Sequence, residues 1–541
     1  MQYDVTILGA GLAGLTLALQ LKKKRPGIRI VMVEMRGFPM PEAAHKVGES
    51  TVELGARYLS HTLGLESYLQ KNHVEKGGLR FYFSTGDEND LAEKVEVGNS
   101  LWPDYLSYQL DRGVLENDLY EMCLDLGIDV LTDTKPIDVR LDKIKETDVV
   151  GRDGLQQTLR SKWLVDATGR KSLLKKQLGL QESVKHDNHA CWFRIDRKID
   201  LDELTQDAGW QKMAAPGLRH SSTNHIMGEG YWVWVIPLSN GRTSIGIVAD
   251  NNLVKPPKIN RLNRSLAWLQ ENEPVIYEAV GGADTTTLDF RYYNDYSAMS
   301  KQLFNARGWA ITGEAGAFID PFYSPGTDMI SISNTYITEM INSSLEGTLK
   351  GAHAKHYENS FKRLVESMWV TYRDQYPLFG RPDIMVPKIV WDYTVYWSSV
   401  ARLFSSDTFA EPRRLPAVDQ ALLEITKMNK RMQDHFRQMN TQAAEPFSRR
   451  FFDIPNERVT PKLLALQESL REQISACELP GKLLENIAYL RELEAIILSS
   501  ENLDDFAEKY YSFEQRLEQP SAAAGADSVR LPLLDVPAAV G

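Results

Sequence analysis

Residues 3–8 (Tyr-Asp-Val-Thr-Ile-Leu) are rich in apolar and β-branched side chains, the pattern of a buried strand. Residues 15–24 carry good helix formers, and residues 29–34 form a second apolar run that closes on Glu34. This order predicts a βαβ unit at the start of the chain. A helical pattern follows through Leu65, with Ser50 or Thr51 placed to cap it. A strand is expected after the polar residues 71–76, a helix to Leu126, and strands at 128–131 and 163–166. Residues 180–300 alternate apolar and polar positions, as in Ser244-Ile245-Gly246-Ile247-Val248, which predicts an antiparallel sheet. Residues 308–313 read as a strand returning to the first unit. From Ser331 the period becomes helical, with helices expected at 421–432, 461–476 and 483–498. Aromatic residues crowd 369–404, either as helix core or as the wall of a cavity.

The turn after the first strand is Gly9-Ala10-Gly11-Leu12-Ala13-Gly14, a G-x-G-x-x-G in its expected strand–helix context. Gly9 permits the tight turn, Gly11 lets backbone approach a pyrophosphate, and Gly14 lets helix and strand pack closely. The helix N-terminus offers N–H groups and a partial positive charge to phosphates. Glu34 stands 20 residues beyond Gly14, where a carboxylate can accept hydrogen bonds from a ribose diol. The fold class is therefore α/β, a Rossmann-like dinucleotide domain with an antiparallel-sheet domain and a mostly helical C-terminal region. The expected boundaries are 1–180 with 300–345 for the discontinuous first domain, 181–299 for the sheet domain, 346–517 for the helical region, and a disordered tail at 518–541.

At 541 residues, two or three domains are expected. The net charge of −11 argues against nucleic acid as the main partner. Three scattered cysteines (Cys123, Cys191, Cys477) suggest neither a disulfide framework nor a zinc site, which fits a reducing cytoplasm. Met1 runs straight into a strand, leaving no room for a signal peptide, and no apolar run approaches the length of a membrane span. His353 and His356 lie three apart on a helix without a third ligand nearby, so no metal site is expected.

Three further motifs carry a family resemblance. Val47-Gly48-Glu49-Ser50, Tyr231-Trp232-Val233-Trp234-Val235-Ile236-Pro237 and the segment from Gly313 to Gly326 together resemble the flavin-dependent halogenases, a branch of the aromatic-hydroxylase-type FAD monooxygenases. The likeness runs over roughly residues 1–400. It implies FAD as cofactor, held by Gly9, Gly11, Ala13, Gly14, Glu34, Arg36, Val47, Gly48, Glu49, Arg112, Glu314, Asp320, Gly326 and Thr327. It implies that reduced flavin, supplied by a separate reductase, reacts with O2 to a C4a-hydroperoxide, which chloride or bromide attacks. The resulting hypohalous acid then reaches a lysine that presents it to an electron-rich aromatic. Lys76, in Lys76-Gly77-Gly78-Leu79-Arg80-Phe81, matches that lysine, and Ser324 matches the serine of the halide-binding motif. Trp232, Trp234, Ile236, Pro237 and Tyr323 match the residues lining substrate and tunnel. The substrate is expected to be a small aromatic, free or tethered to a carrier protein.

Two departures stand out. Members acting on free tryptophan carry a Glu where this chain has Tyr323, which points toward phenols or pyrroles. The family holds halide with two backbone N–H groups after the serine, and one falls on Pro325, which has none. The halide site is therefore expected to be weakened, or built from other groups such as the N–H groups of Gly326 and Thr327. Two other readings stay open on the residues: hydroxylation on the same scaffold, and a non-catalytic flavin-binding protein that docks a partner through basic pairs such as Arg413-Arg414 or Arg449-Arg450.

Overall fold

The computed structural model describes residues 2–43, 46–86, 90–406, 408–411, 414–440 and 447–518. Arg413 and the tail beyond residue 518 lie outside the described residues, and Glu518 closes a helix.

The first domain is built on a parallel sheet whose centre is the strand Gln2–Leu8. It pairs with Ile30–Val33 on one side and Gln156–Asp166 on the other, and Trp309–Ile311 and Asp129–Leu131 extend the sheet outward. Val5, Ile7, Leu8 and all of Ile30–Val33 are buried, which is why these strands read as unbroken apolar runs. Helices Leu12–Lys24 and Gly326–Leu345 pack against each other on this domain. The chain returns to this sheet at Trp309–Ile311, which pairs in parallel with Gln156–Asp166.

The second sheet has eight strands: Thr287–Asn294, Asn188–Ile195, Thr243–Asp250, Tyr231–Pro237, Thr223–Gly228, Leu79–Phe83, Val95–Gly98 and Arg450–Asp453, in that spatial order. It is wider than residues 181–299, because two strands come from before that segment and one from the C-terminal region. Its two faces are separate cores. Trp232, Trp234 and Ile236 point into the large core shared with the first domain, while Val233 and Val235 join a smaller cluster behind the sheet.

In the C-terminal region the helix Pro382–Ser398 packs against Pro416–Met439, Pro461–Glu468 and Leu479–Ser499. Ser50 and Thr51 do not cap the expected helix, which starts at Glu53 behind Val52. Thr51 instead exchanges hydrogen bonds with the backbone of Tyr108, at 3.0 and 2.8 Å. No helix is long and apolar enough to cross a membrane among the described residues.

Candidate active site

Two cavities meet between the domains. The first, about 680 Å³, starts at the G-x-G-x-x-G turn and ends under the tryptophan strand. Gly9 has φ +101° and sits so close to Ala167 that a Cβ would lie 2.4 Å from its carbonyl oxygen. Gly14 meets the Gly9 carbonyl in the same way, so its role is close packing and it does not line the cavity. Gly11 and Ala13 do line it. The helix they open has no side-chain cap and no acid in its first turn, leaving its N–H groups for an anion. Glu34 is fixed by the N–H groups of Ala10 and Arg36, at 2.8 and 3.1 Å, and it and Arg36 face the cavity.

Arg112 opens the helix Arg112–Asp125, which Asp111 caps. Its guanidinium donates to the carbonyls of Val47 (2.6 Å) and Gly48 (3.2 Å) and to Glu116, holding the Val47–Ser50 loop against the cavity. Glu49 lines the same space but is engaged by Arg194, at 2.8 Å. Glu314 faces Arg170 at 3.3 Å, both on the wall. A phosphate-ready helix end, a fixed ribose-facing acid and a long cavity within the usual range of about 300–1,000 Å³ for ligand pockets fit FAD.

Asp320 is a correction to the cofactor set. It lies outside both cavities and is fully buried. It accepts from His186 Nε2 (2.5 Å), Tyr376 OH (2.9 Å), Tyr296 OH (3.0 Å) and the Phe322 N–H (2.8 Å). Its task is to anchor the loop that follows. Pro237 likewise touches neither cavity. Trp232, Trp234 and Ile236 line the first cavity rather than the second, since alternate residues of the strand share that face.

The second cavity, about 580 Å³, is walled by aromatic residues, among them Tyr105, Tyr323, Tyr372, Tyr393, Tyr396 and Trp397. The crowded 369–404 segment therefore serves both expected purposes, because Trp391 and Phe379 stay in the core.

The two cavities share a thin wall made by residues 323–328. Tyr323, Pro325 and Asp328 face the second cavity, and Ser324, Gly326 and Thr327 face the first. Tyr323 and Ser324 adopt φ of 62° and 59°, a left-handed conformation that costs a non-glycine residue about 1–2 kcal/mol. Ser324 N–H to Pro321 O (2.9 Å) and Tyr323 OH to Asp392 (3.0 Å) hold that turn. It aims the helix Gly326–Leu345, uncapped by any side chain, so that Gly326 and Thr327 border the first cavity.

Lys76 stands at the junction. It lines the second cavity, and its Nζ donates to Ser50 Oγ (2.9 Å), which lines the first, and to Thr51 O (2.7 Å). Gly78, at φ +104°, turns the chain just behind it. Lys76 is only 3% exposed, and burial lowers its pKa from 10.5 to about 7, with Glu53 and Asp328 pulling it partly back. Asp328 moves the opposite way, from 3.8 to about 7, because burial outweighs its hydrogen bonds from Tyr396 OH (2.7 Å) and the Gly55 N–H (2.8 Å).

Tyr396 belongs to the aromatic run 369–404 expected as helix core or cavity wall, but Glu53 and Asp328 escape the motif reading. For Glu53 the available signal is a lone acid in the apolar run Thr51-Val52-Glu53-Leu54. His225 is another such residue. It borders the first cavity between Phe81 and Trp232, and burial lowers its pKa to about 3, so it is neutral. Among the described residues no cluster of His, Cys, Asp and Glu is suited to a metal ion.

The nucleotide turn, the two-domain architecture and the paired cavities define an FAD-dependent oxidoreductase. Residues 2–248 match the family described as FAD binding domain. The chain is 29% identical over 437 residues to flavin-dependent halogenase chlA of Dictyostelium discoideum, covering 73% of this chain and 70% of that protein. It is 24% identical to the 1H-pyrrole-2-carbonyl-(peptidyl-carrier protein) chlorinase of Pseudomonas fluorescens, covering 77% and 92%. The crystal structure of halogenase PltM superposes with a TM-score of 0.63 at 17% identity, covering 94% of this chain and 98% of that one. Over about three quarters of its length the chain is therefore similar to flavin-dependent halogenases.

Proposed function

We propose that this protein halogenates an electron-rich aromatic molecule, with FAD, O2 and chloride or bromide as co-reactants and reduced flavin delivered by a separate reductase. The observation that carries the reading is Lys76, buried between the two cavities and hydrogen-bonded across their boundary. When bound and reduced, FAD supplies the activation of O2 that oxidises halide to hypohalous acid.

The chain's own residues do the rest. The N–H groups of Gly326 and Thr327, at a helix N-terminus, attract halide into the first cavity, replacing the donor that Pro325 lacks. Trp232, Trp234 and Phe318 line that cavity and exclude water. Residues 323–328 keep the organic substrate out of it, which favours transfer of a small oxidant over direct oxygenation. A Lys76 amine with a pKa near neutrality is available as an acceptor of the oxidant's proton or of its halogen. The aromatic second cavity holds the acceptor ring. Pyrroles carried on a protein are the substrates named for one relative, and a ring tethered to a carrier remains a substrate form to test here.

The test is mass spectrometry on purified protein given FAD, a flavin reductase, NADH, O2 and bromide with a panel of phenols, pyrroles and indoles. A bromine-for-hydrogen product that is absent in Lys76→Ala supports the reading. A product heavier by one oxygen and indifferent to bromide overturns it in favour of hydroxylation.

A further inference from the structure

We propose that Glu53 accepts the hydroxyl proton of a phenolic substrate held in the second cavity, and so selects neutral phenols over aryl carboxylates. The role rests on the halogenase reading for its oxidant. The placement of Glu53 rests on geometry alone.

Three charged side chains near the junction are buried and border this cavity. Two are occupied. Lys76 donates to Ser50 and Thr51, and both oxygens of Asp328 are taken, one by the Gly55 N–H and the other by Tyr396. Glu53 differs. Gln467, from the helix Pro461–Glu468, donates to Oε1 at 2.5 Å, and Tyr105 OH donates to the Glu53 backbone carbonyl at 3.2 Å. Oε2 has no protein partner among the described residues, although the residue is only 8% exposed. Nor does an ion pair join Glu53 to Lys76 among the described residues. A largely buried carboxylate on the wall of an aromatic cavity, with one oxygen free of protein partners among the described residues, can accept a donor from the ligand.

Glu53 lies three residues after Ser50, the acceptor for Lys76, so one short segment sets both the halogen-delivering amine and this acid. A phenol fits the pair. Its hydroxyl proton passes to Glu53 Oε2, which leaves the charge of the cavity unchanged. The electron pair released into the ring forms the new carbon–halogen bond at an ortho or para carbon. The halogen–oxygen bond of hypohalous acid breaks with its pair kept on oxygen. The ring carbon then loses its proton to that hydroxide, giving water and the halophenolate, which takes the proton back from Glu53 and leaves as the halophenol. An aryl carboxylate would add one more negative group to a cavity that Glu53, Asp328 and Asp392 already line. Burial already pushes Asp328 up to about 7, a sign of how poorly the cavity supports one more anion.

The test uses the FAD-loaded protein with phloroglucinol, its trimethyl ether and 3,5-dihydroxybenzoate. Binding is followed by tryptophan fluorescence, since Trp397 borders the cavity. Phloroglucinol should bind at least tenfold more tightly than either analogue, and E53Q should lose its preference over the ether. In bromination, kcat/KM for phloroglucinol should fall about 100-fold in E53Q. E53D, which keeps a carboxylate, should retain most of the rate that E53Q loses. Equal binding of phloroglucinol and its ether, or an unchanged kcat/KM in E53Q, overturns the proposal. Trapping of free hypobromous acid by dimedone in the wild type reports the halogenase reading separately. If none is trapped, that reading fails, and the binding comparison still decides whether Glu53 takes the hydroxyl.

Discussion

Replacing Lys76 with methionine tests the burial of this amine without any substrate. Met is close in length and needs no hydration, but it takes the Lys76 donor from Thr51 O and from Ser50 Oγ, which keeps its hydrogen bond with Thr223 Oγ1 at 2.8 Å. That loss is a constant offset of about 1–3 kcal/mol for a group left unsatisfied. The pH dependence is not constant. In the folded chain Lys76 releases its proton near 7, against an ordinary value of 10.5. Keeping the charge buried therefore costs about 5 kcal/mol, at about 1.4 kcal/mol per pH unit. Between the two values the unfolded chain binds one more proton than the folded chain, so stability rises with pH. From about pH 7.5 to about pH 9.5 the wild type should gain about 2.5 kcal/mol relative to Lys76→Met. Urea unfolding of both proteins at the two pH values, with FAD saturating, measures the gap. A gap that stays within about 0.5 kcal/mol would show Lys76 to be solvated and refute the reasoning.

Gly9→Ala should abolish FAD binding in a fluorescence titration, because its Cβ meets the Ala167 carbonyl at 2.4 Å and its φ of +101° disfavours any side chain. Glu34→Ala should weaken FAD by about 10-fold, the worth of a hydrogen bond or two to a charged group, and leave the melting temperature of the apoprotein within a few degrees. Asp320→Ala should destabilise the protein by about 3–5 kcal/mol in urea, since it strands a buried cluster of donors. An intact stability curve with lost FAD affinity would instead return Asp320 to the cofactor site. Tyr396→Phe should move the Asp328 pKa further up by removing a donor, which shows as an alkaline shift in any activity that needs its carboxylate.

The elements legible in the sequence are those whose function is local. The nucleotide turn, its helix and Glu34 sit within one βαβ unit, and their spacing carries the geometry. Lys76 was legible through its motif neighbours, and Trp232 and Trp234 through strand alternation. Residues 53, 328 and 467 share no local pattern, and only the tertiary fold brings them to one cavity. Asp320 misled for the same reason. Its motif position suggests a ligand, while His186, Tyr296 and Tyr376 arrive from three distant segments to claim it. The strand Arg450–Asp453 follows a stretch that reads as helical, and its place beside Val95–Gly98 is a non-local pairing.

That last strand sets a timetable for biosynthesis. On a ribosome adding about 5–20 residues per second, Arg450–Asp453 emerges roughly 20 to 70 s after the strand it must cover. Until then Val95–Gly98 presents an open sheet edge next to the apolar residues Phe81 and Phe83. The nascent protein therefore spends most of its synthesis with one adhesive sheet edge uncovered, and a chain cut before residue 450 should be captured by chaperones or aggregate even though its nucleotide-binding strands are all present.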